Sequence, residues 1–282
     1  MPSSTSTASA SAPEWLLLRR GTAPLLLSMP HSGVEIPQDI ERTLQSAWLA
    51  RCDTDWWIEQ LYDFAEELDA TIVRTRLSRT VIDVNRDPSG RSLYPGRATT
   101  ELCPTTSFEG EPLYVPGQAP DPLAVAARRQ RYFEPYHAAL AAEIARLRAL
   151  HGALVLYDCH AIRSRIPRLF EGELPQLNIG TFAGASCSPA LRAAVHALCA
   201  ASPFSCVLDG RFQGGYITRH YGRPSQGIHA LQMELAFRGY LREPLGPVDQ
   251  ATWPVSYDAA FAEPLRRLLR QVLGRCLAAH QI

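Results

Sequence analysis

The stretch Ala153-Leu154-Val155-Leu156-Tyr157-Asp158-Cys159-His160 decides how the rest of the chain is read. Its first five residues form an unbroken apolar run, the profile of a strand buried on both faces in a sheet covered by helices. The run ends in Asp158-Cys159-His160, so such a strand delivers polar groups at its carboxyl end, where α/β sheets gather their ligands. Within the triplet, Asp158 and His160 share one face and Cys159 points to the other.

On the C-terminal side of this stretch, the pattern predicts strands over 177–182, 205–208 and 228–235, helices over Pro189–Ala200 and near 256–279, and a glycine-rich loop around Gly214-Gly215. On the N-terminal side it predicts strands over 15–18, 24–29, 70–74 and 79–84. A helix is expected over 53–68, with Trp57, Leu61, Phe64 and Leu68 at helical spacing and Asp53 or Thr54 as N-cap. A long helix is expected over 122–150, bent near Pro135. Residues 85–121 are rich in Gly, Pro, Ser and Thr and carry no period, which is long for an idle connection and points to a lid or specificity loop at 87–120. Strands alternating with helices imply an α/β fold, a sandwich around a mixed, largely parallel sheet. No internal repeat or sharp composition boundary divides the chain, so one domain is expected over 14–282. Residues 1–13, small and polar without the apolar core of a signal peptide, read as a disordered tail.

Composition narrows the chemistry. With 28 basic and 28 acidic residues the formal charge is zero, which gives no general attraction to phosphate backbones or anionic lipid. All 28 basic residues are arginine, so Schiff-base lysines and P-loop lysines are excluded. Guanidinium forks suit bidentate binding of carboxylates. The 7 cysteines are odd in number and contain no C-x-x-C pair, which argues against a disulfide framework or a cysteine zinc finger. Apolar runs fall short of the ~18 residues that span a bilayer. A cytoplasmic protein with no membrane or nucleic-acid partner is expected; oligomeric state is not legible.

Strand ends then select the candidate residues. His31 follows one strand and His160 another, and two imidazoles with a nearby acid are the minimum set for a catalytic zinc site. Each histidine alone would read as a satisfied turn or core residue. The third ligand is open among Asp55, Asp53 and Glu35: Asp55 opens the expected helix, Asp53 suits the N-cap, and Glu35 is expected to turn outward. Arg79, Asn85 and Arg86 bracket the expected strand over 79–84 and together resemble a carboxylate receptor; the plainer reading is surface arginine pairing with Asp83. Glu234, an acid between apolar neighbours, suits a general base, with an arginine salt bridge as the alternative. Asp158 is placed to hold the second nitrogen of a ligand histidine. Gly215, beside Gly214 and before Tyr216, would let backbone approach a small ligand closely. Cys159, aimed away from His160, reads as a core residue rather than a nucleophile.

These residues occur in six blocks: Pro30-His31-Ser32-Gly33, Asp53-Thr54-Asp55-Trp56, 78–86 (SRTVIDVNR), Asp158-Cys159-His160, Gly214-Gly215-Tyr216-Ile217 and 229–235 (HALQMEL). In content and order, over residues 23–273, they closely resemble the N-formylglutamate amidohydrolase family. The resemblance implies a three-layer sandwich of the zinc carboxypeptidase and aspartoacylase kind (phosphorylase/hydrolase-like). It also implies zinc-dependent hydrolysis of N-formyl-L-glutamate to formate and L-glutamate in histidine degradation. By position it makes His31, Asp55 and His160 the ligands of one zinc ion, or another divalent ion. Glu234 becomes the base and Arg79 the oxyanion stabiliser. Asn85 and Arg86, with Gly215 and Tyr216, form the substrate site for a small acidic N-acyl amino acid. A tight acyl pocket and an amino-acid pocket covered by the 87–120 loop would follow. Rival readings are the same machinery acting on another small N-acyl or N-formimino amino acid, a non-catalytic binder of acidic metabolites, and a cysteine amidase.

Overall fold

The computed structural model describes residues 13–278; the expected tail at 1–13, Pro13 apart, lies outside the described residues. Among the described residues, seven strands, β1 (Leu16–Arg19), β2 (Leu25–Met29), β3 (Thr71–Thr75), β4 (Leu154–Ile162), β5 (Leu177–Gly180), β6 (Cys206–Leu208) and β7 (Ile228–Ala236), form one sheet in the order β1-β3-β2-β4-β7-β5-β6. The pairs β3–β2, β2–β4, β4–β7 and β5–β6 are parallel, and β1–β3 and β5–β7 are antiparallel. The mixed, largely parallel sheet expected from the alternation is thus present.

The helices are α1 (Gln38–Glu41), α2 (Ile58–Leu61), α3 (Pro122–Arg128), α4 (Glu134–His151), α5 (Pro189–Ala200), α6 (Tyr216–Tyr221) and α7 (Ala259–Ala278). Helix α5 starts where its sequence says it should: the Ser188 side chain accepts from the Leu191 N–H, and Pro189 fills the first turn. Alternation along the central strands sorts residues to two faces. Leu25, Leu27, Val155, Tyr157, Cys159, Leu231 and Met233 pack with Ile58 of α2, Val195 of α5 and Leu269 of α7. Leu26, Leu154, Leu156 and Ala230 pack on the other face with Tyr136 and Leu140 of α4 and Ile217 of α6. Each buried leucine contributes roughly 1.5–3 kcal/mol, the reservoir that offsets the buried charges described below. No helix among the described residues is long and apolar enough to cross a membrane.

Four local expectations are corrected. First, β4 does not end at Tyr157 but runs to Ile162, so Asp158 and His160 lie inside a paired strand: Asp158 is opposite Gln232, and His160 is opposite Glu234. Second, 53–68 is not one helix. Trp57 is left-handed (φ 62°), and α2 is followed by a separate 3₁₀ turn over Asp63–Glu66. Tertiary bonds override the helical period here: the Asp55 N–H donates to the His31 carbonyl and the Trp57 indole to the Val255 carbonyl. Neither Asp53 nor Thr54 caps α2, and Asp53 instead accepts from the Phe108 N–H. Third, 79–84 is a chain of turns rather than a strand, held by Val81 N–H to the Ser78 carbonyl, Asp83 N–H to the Leu102 carbonyl and Asn85 N–H to Asp83 Oδ1. Its β-branched residues go to the core instead, with Val81, Ile82 and Val84 in the α4-side cluster. Fourth, the long helix over 122–150 is interrupted by a π-helical turn at Arg129–Phe133, just before Pro135 in the first turn of α4. A wider turn there accommodates the missing N–H of proline.

Candidate active site

The apolar face of β4 and β7 that packs against α4 turns polar halfway along. Beyond Leu156 and Ala230 come Asp158 beside Gln232, then His160 beside Glu234, all buried. His160 Nδ1 lies 3.1 Å from Asp55 Oδ2, and its Nε2 lies 3.0 Å from Asp158 Oδ2. His31, just past the end of β2, repeats the pattern: Nε2 is 2.7 Å from Asp83 Oδ1, and Nδ1 is 3.7 Å from Asp55 Oδ2. The two rings, with centroids 4.9 Å apart, therefore both turn Nδ1 toward Asp55 and Nε2 toward a buried carboxylate.

Three observations fit a divalent cation between them. One potential ligand atom from each of His31, Asp55 and His160 lies within 4.8 Å of the others. His31 Nδ1 is buried without a hydrogen-bond partner, a state that costs about 1–3 kcal/mol unless something coordinates it. Finally, the buried carboxylates of Asp55, Asp83, Asp158 and Glu234 face the guanidinium groups of Arg79 and Arg86, a deficit that one divalent ion balances. Two imidazoles and a carboxylate, with outer carboxylates orienting the rings, are a donor set suited to zinc. Neither alternative third ligand joins them: Asp53 is turned to Phe108, and Glu35 is exposed beside Arg76.

Electrostatics divide the acids by role. Burial works to raise Asp55, but the hydrogen bond from His160 and the nearby imidazole of His31 outweigh it and hold the carboxyl below its usual range. Burial is likewise overcome at Asp83, by Arg86, His31 and Arg79. At His160 burial opposes protonation, and Asp158 and Asp55 reverse the balance to push it well above the ordinary imidazole value. Glu234 differs: burial dominates and raises it to about 7. Its Oε2 accepts from Gln232 Nε2 at 3.0 Å, while Gln232 Oε1 accepts from the Gly215 N–H at 2.7 Å. Among the described residues no arginine pairs with Glu234, so the salt-bridge alternative fails.

A cleft opens over this cluster and is lined by His31, Arg79, Asn85, Arg86, His160, Gly215 and Glu234 among others. Arg79 donates to Asp83 at 2.6 Å, stands 3.8 Å from Asp55 and lies over the Phe108 ring. Asp83 is thus a buried scaffold, not the surface partner the plainer reading supposed. Arg86 donates to the Thr100 carbonyl and hydroxyl. Asn85 Nδ2 contacts Asp158 Oδ2 at 3.1 Å and His160 Nε2 at 2.8 Å, and its Oδ1 accepts from the Ile217 N–H. Gly215 lines the cleft, but for a reason other than open backbone. Its N–H is engaged by Gln232, and a Cβ there would come within 2.4 Å of the Asn85 amide. Tyr216 is corrected: its ring packs with Phe133, His137 and His220, away from the cleft wall. The irregular 87–120 segment supplies Tyr94, Thr99, Thr100 and Phe108 to the lining. Tyr94 is anchored by its hydroxyl, which donates to the Gly214 carbonyl and accepts from the Gln213 N–H. Cys159 sits on the opposite face, its thiol pushed well above the usual value by burial and then by Asp158 and Asp55, so it stays protonated.

Sequence reasoning missed Gln232, Arg211, Tyr94 and Phe108 as part of this site. Gln232 carried a usable signal, since it lies two residues before Glu234 and hence on the same strand face; the others come from irregular segments that carry none.

The sequence profile of the N-formylglutamate amidohydrolase family matches residues 23–241. The chain is 47% identical over 270 residues to N-formylglutamate deformylase of Pseudomonas aeruginosa, covering 94% of this chain and 97% of that protein. It is 46% identical over 268 residues to N-formylglutamate deformylase of Pseudomonas putida, covering 93% and 96%. Among solved structures, N-formylglutamate amidohydrolase from Ralstonia eutropha JMP134 superimposes with a TM-score of 0.72 at 22% identity, over 94% of this chain and 98% of that one. An Agrobacterium tumefaciens gene product superimposes with a TM-score of 0.68 at 17% identity, over 96% and 98%. At those identities the two structures bear on the fold alone.

Proposed function

The chain belongs to the N-formylglutamate amidohydrolase family, and from that premise we propose that it hydrolyses N-formyl-L-glutamate to formate and L-glutamate, with one zinc ion, as a step of histidine degradation in the cytoplasm. Residues 14–282 act as one catalytic domain, with kinship to zinc carboxypeptidases and aspartoacylase. The observation that carries the zinc reading is the unpartnered Nδ1 of His31 facing Asp55 and His160. These three residues would hold the ion, which when bound supplies Lewis acidity to polarise the formyl carbonyl and acidify a water molecule.

The remaining roles belong to the protein's own groups. Glu234, raised to about 7 by burial, is poised to accept a proton from water near neutral pH and return it to the departing amine. Gln232 orients that carboxylate. Arg79, fixed by Asp83 and Phe108, offers its guanidinium to the negative charge that develops on the formyl oxygen. Arg86 and Asn85 receive the α-carboxylate. A proton on His160 Nε2 would be held by Asp158, the carboxylate to which Asn85 Nδ2 also donates. Tyr94, Thr99, Thr100 and Phe108 wall the cleft and would set the room left for the acyl group.

The test is formate release from N-formyl-L-glutamate, with elemental analysis. We expect about one zinc per chain and activity that a chelator abolishes and zinc restores. Absence of formate release would support a non-catalytic binder. Release that survives chelation but not thiol alkylation would support a cysteine amidase.

A further inference from the structure

A third arginine enters the same cleft and has no role in the reaction as described. Arg211 is half-buried, and among the described residues no carboxylate lies within ion-pair distance of it. Its Nε donates to the Leu169 carbonyl and one Nη2 hydrogen to the Ala98 carbonyl. Its guanidinium rests against the rings of Tyr94 and Phe212, at 5.4 and 5.1 Å from their centroids. The head group is thus fixed in direction, with Nη1 and one Nη2 hydrogen left over. Burial lowers its pKa, with Tyr94 and Glu234 opposing the shift and Arg97 and Arg86 adding to it. A cation that is partly desolvated and repelled by other cations is a costly arrangement unless an anion arrives between them.

Resting on the deformylase reading, we propose that Arg211 is the receptor for the side-chain carboxylate of the substrate and sets the preference for an acidic amino acid. Spacing supports it. Arg86 is tied to Thr100 and Arg211 to Ala98, two residues apart on one segment, so their anchoring carbonyls are at most about 7 Å apart. The two carboxylate carbons of an extended glutamate are about 5 Å apart, given C–C bonds of about 1.5 Å. Arg86, Arg211, Tyr94 and Phe212 all line the one cleft, so an acidic substrate seated there meets one guanidinium for each carboxylate, with the two rings beside its methylenes.

The test compares N-formyl-L-glutamate with N-formyl-L-glutamine, whose side chain has the same shape without the charge. For the unaltered enzyme the ratio of kcat/KM values should favour glutamate by about 100-fold, the scale of a charged hydrogen-bonded pair. In Arg211→Gln the ratio should fall to within about threefold of unity, mainly through KM for formylglutamate, and Arg211→Lys should recover part of it. A variant that is merely misfolded lowers both substrates together and leaves the ratio intact. As a measurement free of any variant, L-glutamate should bind the zinc-loaded enzyme at least about tenfold tighter than L-glutamine. Equal binding of the two amino acids, or a ratio that survives Arg211→Gln while formylglutamine is turned over at the unaltered rate, would overturn the proposal while leaving the deformylase reading standing. If neither formyl substrate releases formate, that reading fails, and this inference fails with it.

Discussion

The two faces of β4 make an instructive comparison. Val155, Tyr157, Cys159 and Ala161 face one way and stay in an apolar cluster to the end of the strand, under α2, α5 and α7. Leu154 and Leu156 face the other way under α4, and then the same face changes to Asp158 and His160. One backbone thus carries structure on one side and chemistry on the other. The difference lies in what covers the carboxyl half: helices on the first face, and on the second the turns at 79–86 and the loop segments around Tyr94 and Phe108. Turns and loops bring unpaired backbone and polar side chains, so buried carboxylates there find donors that a helix face would not offer.

Breaking the polar face should have the largest effect. His160→Ala removes one nitrogen of the proposed metal site and strips Asp55 of its closer histidine, so on that proposal metal content should fall to near zero and kcat/KM by at least about 10³-fold. Elemental analysis beside the formate assay measures both; retention of zinc with full activity would remove His160 from the site. Glu234→Gln should be second: kcat down by about 10²–10⁴-fold with zinc retained. Its pH dependence adds a signature. Glu234 must be ionised to act as base, and burial raises it to about 7, so kcat/KM should rise with pH, level off above about 7 and drop tenfold per unit below it. A profile flat from pH 5 to 8 would be incompatible with this role.

The apolar face should respond differently. Cys159→Ala removes a fully buried sulfur from the other side of the same strand, so stability should fall by about 1–2 kcal/mol in denaturant unfolding while kcat/KM changes less than twofold. Loss of activity out of proportion to the loss of stability would revive a nucleophilic cysteine and blur the distinction between the faces.

Much of this was legible one residue at a time. The apolar run before Asp158 announced a covered sheet because buried strands must be apolar on both sides. The spacing of Asp158 and His160 fixed that they share a face because side chains alternate along any strand. The absence of lysine limited cation chemistry to guanidinium. Apart from the greater length of β4, the sequence misled off the sheet. The helical period over 53–68 and the β-branched run over 79–84 are local preferences of roughly a kilocalorie or less per residue. They yield to buried bonds such as those of His31 with Asp83 and of the Trp57 indole with Val255.

What the amino-acid order determined by itself is the sheet, its two faces and the residue types available for chemistry, all of which follow from short-range periodicity and the cost of burying polar groups. What only the tertiary structure decided is convergence: that Asp55 rather than Asp53 or Glu35 meets both imidazoles, that Asp83 and Gln232 act as hidden supports, and that Arg211 enters the cleft. Those facts depend on the paths of irregular segments whose ends lie dozens of residues apart, and no local pattern encodes where such a segment crosses another.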